Sequence, residues 1–170
     1  MKTIPLTQGL VAVVDDEDYE RLSVYRWHAT RNSKSLKWYA ARNAPTSGGR
    51  YGGKIRMHRE ILNAPDGLDV DHKDGDGLNN QRSNLRLATN TQNQQNRSRN
   101  LRKSATPYKG VSYKPHGMKR YTARIYHNRK EITVGLFLTA EEAARAYDAK
   151  ATELFGEFAK LNLASESKSR

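Results

Sequence analysis

The stretch from residue 69 to residue 97 concentrates the side chains that could hold a metal ion and move a proton. It begins with DVDH, continues through a loop rich in Gly, Asp and Asn, and ends in an Asn series from Asn90 to Asn96. A hard cation such as Mg²⁺ prefers oxygen ligands and keeps several of its waters. Asp71 offers a carboxylate oxygen and Asn93 an amide oxygen. These two residues could therefore hold one divalent ion with few protein ligands.

His72 follows Asp71 directly and is predicted to point to the opposite side of the same strand. An imidazole with a pKa near 6.5 suits general-base work near neutrality. It needs a partner to fix its tautomer and ring angle, and Asn84, twelve residues further on, is the natural candidate. Phosphodiester hydrolysis requires an activated water, a neutralised phosphate and a stabilised leaving oxygen. The constellation therefore predicts that reaction.

The local pattern around these residues indicates strand, loop, strand and helix. Val70 and its neighbours predict a short strand, and KDGDGLNNQRSN at 73–84 predicts a tight loop. LRLA at 85–88 alternates like a returning strand, with Leu85 and Leu87 on one face. Thr89 or Thr91 can cap a helix that runs to about Arg97.

The first 62 residues predict small elements around this stretch. Residues 4–14 indicate two short strands around a turn at Gln8-Gly9. The acidic cluster at 15–18 is interpreted as the start of a helix over 16–23 rather than a metal site, because adjacent carboxylates diverge. Residues 25–42 predict a hairpin whose aromatic side chains are core residues rather than base-stacking groups.

A Gly-rich segment at 43–53 predicts a flexible loop, and residues 54–62 predict a helix with Met57, Ile61 and Leu62 on its apolar face. His58 lies in that helix. It is either a packed structural histidine or a part of the site, and both readings stay open.

Three segments together resemble the HNH endonucleases, also called ββα-metal nucleases. The matching segments are MHREIL at 57–62, DVDHKDGDGLNNQRSNLRLAT at 69–89 and the Asn series after them. The resemblance implies His72 as general base, Asn84 as orienting residue, and Asp71 with Asn93 on the metal. The last of the three residues that give the family its name is often His. The matching position here is Asn93, and Asn at this position is typical of the homing-type branch. Asn93 and Asn96 lie one helical turn apart, so the choice between them stays open.

The positive charge of the chain is concentrated beyond this stretch. The 170 residues carry a formal net charge of +12 and no Cys, which excludes thiol catalysis and Cys-ligated zinc. Residues 97–139 carry eleven basic groups and one acidic group, whereas residues 55–96 carry five and six. A charge of this kind points to nucleic acid. The basic segment 98–107 is predicted to be a linker that could lie along phosphates or act as a solvated tether.

The C-terminal third predicts three strands and one helix. YKGVSYK, RYTARIY and EITVGLF alternate as strands, and TAEE at 139–142 is a capping box before a helix that ends near Gly156. Three antiparallel strands backed by one helix leave a polar, cationic sheet face free, and such a face fits a major groove.

This part resembles the APETALA2-type DNA-binding domain over residues 108–163, above all in the helix segment TAEEAARAYD. The resemblance implies that exposed sheet residues contact DNA, while the helix serves in packing. The exposed face and the matched positions together give these candidate contacts: Lys109, Ser112, Lys114, His116, Arg120, Thr122, Arg124, Tyr126, Glu131 and Thr133. Several of these replace the usual Arg or Trp, so the family's base specificity does not carry over.

The sequence therefore predicts an α+β chain with a β-rich N-terminal extension (1–54), a ββα-metal nuclease domain (55–97), a linker (98–107), a DNA-binding domain (108–163) and a disordered tail (164–170). The expected activity is hydrolysis of double-stranded DNA with Mg²⁺ or Mn²⁺, by a homing-type enzyme acting as a monomer without a protein partner. No signal peptide or membrane segment is recognisable, and the expected location is the cytoplasm of a bacterium or phage-infected cell. The alternatives are a DNA-binding regulator with an inactive nuclease domain, and an RNA-binding protein.

Overall fold

The structure is a computed structural model that describes residues 1–33, 36–45, 53–96, 105–118 and 120–163. The chain divides into two compact units, Met1–Asn93 and Gln94–Arg170. Most of the predicted Gly-rich loop at 43–53, most of the predicted linker at 98–107 and the predicted tail at 164–170 lie outside the described residues.

The described part of the first unit contains seven short strands, a 3₁₀ turn at Thr7–Gly9 and helices α1 to α3, the last of which continues into the second unit. The strands pair antiparallel in three small sheets, β1-β2, β3-β4-β5 and β6-β7. The elements are β1 (Lys2–Pro5), β2 (Val11–Val14), α1 (Asp16–Ser23), β3 (His28–Arg31), β4 (Trp38–Asn43), β5 (Lys54–Arg56), α2 (Met57–Ile61), β6 (Asp69–His72), β7 (Leu85–Ala88) and α3 (Asn90–Gln95).

Most of the predicted elements are confirmed. The turn at Gln8-Gly9, the helix over 16–23, the hairpin within 25–42 and the succession β6, loop, β7, α3 all form. Thr89 caps α3, because its hydroxyl oxygen accepts a hydrogen bond from the Gln92 backbone N–H at 3.3 Å. Two details differ. Residues 54–56 form a strand before the helix, and Leu87 is exposed while Leu85 is buried.

One hydrophobic core joins the predicted extension to the predicted nuclease domain. Its buried members are Ile4, Ala12, Val14, Leu22, Trp27, Ala40, Met57, Ile61, Val70 and Leu85. The boundary expected between residues 54 and 55 therefore lies within one packed unit.

The N-terminal strands also hold the loop between β6 and β7. The Val13 N–H donates to Leu78 O at 2.9 Å, and the Asn80 N–H donates to Val13 O at 2.8 Å. Gly77 lies so close to β4 that an added Cβ would stand 2.3 Å from Trp38 O. Glycine is therefore required at this position for close approach of the backbone.

The acidic cluster begins a helix as predicted, and it also binds the same loop. Asp15 accepts hydrogen bonds from the Arg82 backbone N–H at 2.7 Å and from the Gln81 amide at 3.1 Å. The Asp18 carboxylate is buried between the guanidinium groups of Arg21 and Arg82. Burial acts to raise the pKa of Asp18, but the hydrogen bonds from Arg82 and Arg21 outweigh it and lower that pKa.

The second unit is a three-stranded antiparallel sheet packed on one helix. Its elements are β8 (Val111–Tyr113), β9 (Tyr121–His127), β10 (Lys130–Phe137) and α4 (Ala140–Phe155), with strand order β10-β9-β8. The predicted capping box forms between Thr139 and Glu142. The core comprises Val111, Ala123, Ile125, Ala143, Ala144, Tyr147, Ala151 and Phe155.

The chain is thus a mixed α+β protein with several small antiparallel sheets and few helices. None of the helices in the described ranges combines the length and apolar character needed to cross a bilayer.

Candidate active site

A cavity of about 240 Å³ in the first unit collects most of the residues predicted to do chemistry. Asp71, His72 and Asn93 all line it, and so does His58. The other lining residues are Asn32, Lys37, Tyr39, Arg56, Arg59, Asp69, Val70 and Gly75. The cavity is therefore built by β4, β5, α2, β6 and α3 with the loops beside them.

Asp71 is 4% exposed and forms an ion pair with Arg86. Nε and Nη2 of Arg86 lie 2.9 and 2.7 Å from Asp71 Oδ2. The two residues face each other across the β6-β7 hairpin, where Asp71 pairs with Arg86 in register. This ion pair holds the carboxylate in one orientation at the cavity wall.

His72 is 6% exposed and lines the same cavity as Asp71. Its placement on the opposite side of the strand from Asp71 stays a prediction. Burial lowers the pKa of His72, although a hydrogen bond with Asn80 and the carboxylates of Asp74, Asp71 and Asp76 act to raise it. The net effect keeps the imidazole neutral at neutral pH, which is the form that a general base requires.

The amide that faces His72 belongs to Asn80, not to Asn84. Asn80 Oδ1 lies 3.5 Å from His72 Nε2, and the Asn80 side chain is fully buried. Asn84 instead accepts a hydrogen bond from the Asp74 N–H at 3.1 Å and donates to Asp74 Oδ1 at 3.0 Å. It also donates to Asn79 O at 2.9 Å. Asn84 therefore fixes the loop after β6 rather than the imidazole ring directly.

His58 belongs to the cavity and not to the core alone. Its ring centroid lies 5.0 Å from that of His72 and 5.7 Å from that of Tyr39. Burial, followed by the charges of His72, Arg56 and Arg59, lowers the pKa of His58 to about 2. The His58 Nδ1 atom is buried and has no hydrogen-bond partner among the residues that the structure describes. His58 thus places a second neutral imidazole against His72.

Asn93 is the residue of the described Asn series that lines the cavity, whereas the buried Asn96 belongs to the second unit. The Asn93 amide nitrogen donates to Asp69 Oδ2 at 3.2 Å. This hydrogen bond directs the nitrogen toward Asp69 and leaves the amide oxygen as the atom able to hold a cation.

The donor set fits a hard cation that keeps most of its waters. Oxygen atoms of Asp69, Asp71 and Asn93 share the cavity, and hard cations prefer such ligands. No cluster of three or more His, Asp or Glu able to hold a metal occurs among the described residues. A closed structural metal centre of four protein ligands is therefore not what these residues build.

Two functional residues were missed by sequence reasoning, and one of them left a usable signal. A loop at 73–84 makes positions 72 and 85 opposite each other, so the register alone places Arg86 across from Asp71. Asn80 left no such signal, because the loop offers many Asp and Asn residues and spacing does not show which one points inward.

The second unit exposes only part of the predicted DNA-contacting set. Lys114, His116, Arg120, Tyr126, Glu131 and Thr133 are exposed, while Ser112 and Arg124 are half-buried. Arg124 is also paired with Glu131 at 3.1 Å. Thr122 is 1% exposed, so its side chain does not reach the surface and its prediction as a DNA contact is corrected.

Lys109 is also turned inward. Its ammonium donates to the backbone carbonyl of Gln95. Burial, followed by the charge of Lys160, lowers the pKa of Lys109 to about 8. Lys109 therefore organises the start of the second unit in this conformation, and its ammonium is committed to a backbone carbonyl.

Two imidazoles, two carboxylates, two amides and three cations line this one cavity, and such a set suits the hydrolysis of an anionic substrate. The family model described as HNH endonuclease matches residues 63–95. A protein of Acanthamoeba polyphaga mimivirus, named an uncharacterized HNH endonuclease, is 38% identical over 161 residues, which cover 91% of this chain and 76% of the viral protein.

The chain belongs to the HNH endonuclease family. It is therefore a nuclease enzyme, of a family that acts on DNA and generally uses a divalent metal. Both comparisons identify an HNH endonuclease. The APETALA2 resemblance of residues 108–163 stays a prediction.

Proposed function

We propose that the chain is a site-directed DNA endonuclease that hydrolyses one phosphodiester bond at the Asp71–His72–Asn93 cavity. The observation that carries this proposal is the meeting of these three residues in one space lined also by cations. They come from two elements and are separated by up to 22 positions, yet all face the cavity.

His72 is the proposed general base. Because an amide oxygen only accepts hydrogen bonds, the contact of His72 Nε2 with Asn80 Oδ1 favours a hydrogen on Nε2 and leaves the lone pair on Nδ1. The base takes a proton from water while the water oxygen bonds to phosphorus and the bond from phosphorus to the leaving oxygen breaks. The leaving oxygen is then protonated from solvent.

Asp71 and Asn93 are the proposed ligands of Mg²⁺ or Mn²⁺. When bound, such an ion supplies charge neutralisation for the phosphate and the leaving oxygen. Arg86 orients Asp71 through the ion pair on Oδ2, and Asp69 orients Asn93 through its amide nitrogen. The first unit thus fixes both ligand side chains before any ion arrives.

The second unit is the proposed DNA-binding module, in the manner of an APETALA2-type domain on double-stranded DNA. Its exposed Lys114, Arg120, Tyr126 and Thr133 support this proposal, together with the net charge of +10 between residues 97 and 139. Asn at the third family position supports a homing-type enzyme. One chain carries both a cleavage site and a binding sheet, so we propose that it acts as a monomer.

Metal-dependent cleavage of supercoiled plasmid tests this function. We expect nicked or linear product with Mg²⁺ or Mn²⁺, none with EDTA, and a loss of at least about 100-fold in Asp71→Asn. Asp66→Asn is a matched control at an exposed carboxylate and should cleave like the wild type. Equal cleavage by Asp71→Asn would contradict the assignment.

The same preparation separates the alternatives. A DNA-binding regulator with an inactive nuclease domain would bind duplex DNA but leave the plasmid intact with either ion. An RNA-binding protein would release labelled RNA only poorly when unlabelled duplex DNA is added as competitor.

A further inference from the structure

We propose that Lys37, which directly precedes β4, and Arg56, on β5, form a phosphate-binding wall of the cavity and position the DNA backbone for cleavage. The inference rests on the proposed function and assigns a role to a part of the chain outside the HNH match at 63–95. It gives a function to cavity-lining residues that lie before the matched segment, which include Asn32, Lys37, Tyr39 and Arg56.

Lys37 reaches across to the loop that follows His72. An added Cβ on Gly75 would lie 3.2 Å from Lys37 Nζ, so the ammonium stands directly over that loop. Lys37 is half-buried and lines the cavity, yet its ammonium makes no hydrogen bond or ion pair with the rest of the described chain. A half-buried ammonium without an anionic partner is costly unless a ligand supplies one.

Arg56 lies on the same wall. Its guanidinium carbon stands 5.4 Å from the centroid of the Tyr39 ring, a contact that leaves the N–H groups available to a ligand. Within the described residues no carboxylate pairs with it. An arginine held by an aromatic face presents a fork suited to phosphate oxygens.

The other cations of the site already have partners. Arg59 donates to the backbone carbonyls of Leu68 at 2.6 Å, Ala64 at 3.1 Å and Pro65 at 3.0 Å, so it fixes the turn before β6. Arg86 is paired with Asp71. Lys37 and Arg56 are therefore the cavity-lining cations of the described chain that can serve a substrate.

The charge balance of the cavity requires such groups. Asp69 and Asp71 bring two negative charges to the place where a phosphodiester, itself an anion, must bind. In-line attack by water adds further negative charge to the phosphate oxygens in the transition state. Lys37 and Arg56 offset this charge from the side of the cavity formed by β4 and β5.

The test compares Lys37→Met, Lys37→Arg, Arg56→Met and the control Lys54→Met. Lys54 is an exposed cation on the same strand as Arg56, outside the cavity lining. The first readout is binding of a duplex by each variant in a His72→Ala background at several salt concentrations, which requires no cleavage. The salt slope is the steepness with which the logarithm of the binding constant falls with the logarithm of the salt concentration. Losing one phosphate contact should lower this slope by about 1 for Lys37→Met and for Arg56→Met, and leave it unchanged for Lys54→Met.

The second readout is the single-turnover cleavage rate with His72 intact. We expect a loss of about 10- to 100-fold in Lys37→Met and Arg56→Met, recovery to within about fivefold in Lys37→Arg, and no loss in Lys54→Met. Unchanged salt slopes in both cavity variants, or equal losses in Lys54→Met, would overturn the proposal. Absence of cleavage by the wild type would instead count against the proposed function, while the binding readout would still decide the role of the two cations.

Discussion

His72 Nε2 lies 3.5 Å from Asn80 Oδ1, and both side chains are buried. This contact favours the tautomer with the hydrogen on Nε2, and the ring of the second imidazole, His58, lies 5.0 Å from that of His72. The chemistry proposed for His72 therefore depends on two neighbouring side chains, those of Asn80 and His58.

Asn80→Ala should lower the cleavage rate by about 10- to 100-fold, because the imidazole loses the partner that fixes its tautomer. The adjacent Asn79→Ala is the control, since Asn79 bonds to Asp74 and Gln81 within the loop. Single-turnover rates at saturating enzyme measure the effect. Equal rates for Asn80→Ala and Asn79→Ala would show that the contact has no role in catalysis.

His58 should make the first unit less stable at acidic pH. Its pKa of about 2 lies below the ordinary 6.5, so below pH 6.5 the unfolded chain binds a proton that the folded chain does not. Stability therefore falls as pH falls, by about 2 kcal/mol for this residue between pH 7 and pH 5.

Urea unfolding of His58→Phe and the wild type at both pH values measures this difference, with exposed His116→Phe as the control. The wild type should lose about 2 kcal/mol more than His58→Phe on going to pH 5. An identical loss in the two proteins would mean that His58 is not held neutral by the fold.

For individual residues, the sequence predicts the candidate reactive side chains better than the side chains that orient them. Asp71, His72 and Asn93 have side chains suited to metal binding or proton transfer, and all three line one cavity. Asn80 and Asn84 have the same chemical type in the same loop, so only the folded loop determines which amide faces the imidazole.

The elements before residue 57 fix the loop between β6 and β7. Strand β2 forms hydrogen bonds with this loop through Val13, and Asp15 and Asp18 bind Arg82. Strand β4 packs closely against Gly77. Because this loop carries Asn80, these contacts position the amide that faces His72, the proposed general base.

Gly77→Ala should destabilise the first unit by about 1–3 kcal/mol, because the new methyl group meets the backbone oxygen of Trp38. Gly53→Ala is a matched control, since an added Cβ there meets nothing within 4 Å. Denaturant unfolding followed by Trp fluorescence reports the change. A Gly77→Ala protein as stable as the control would mean that β4 does not pack on the loop as described.

Local patterns predicted the individual strands and helices, since apolar alternation and capping residues act over a few positions. They did not predict that residues 1–54 and 55–93 share one core, because the contacts of Val13 with Leu78 and of Asp15 with Arg82 span more than 60 positions. Such pairings are set by tertiary packing and leave little trace in local spacing.

Over the whole molecule, the proposed metal-binding carboxylates and most of the positive charge lie in different segments of the chain. The segment 55–96 carries slightly more acidic than basic groups, and the segment 97–139 carries a net charge of +10. Carboxylates that hold a cation would repel a phosphate backbone, so we expect most of the proposed affinity for DNA to come from outside the cavity.

Lys114→Ala should therefore lower the salt slope of duplex binding by about 1, because an exposed ammonium on the proposed binding sheet releases one counterion. Lys150→Ala on α4 is the control, since this lysine is paired with Glu153. Fluorescence anisotropy at several salt concentrations provides the slopes. Equal slopes for the wild type and Lys114→Ala would remove the sheet of the second unit from the proposed interface.

The most direct measurement is single-turnover cleavage of a DNA substrate by His72→Ala with Mg²⁺ or Mn²⁺, with binding measured on the same protein. His72 is the proposed base and lies outside the proposed binding sheet, so we expect cleavage to fall by about 10²- to 10⁴-fold while the affinity for DNA stays within about twofold. Cleavage by His72→Ala at the wild-type rate would contradict the assignment of this cavity as the site of hydrolysis.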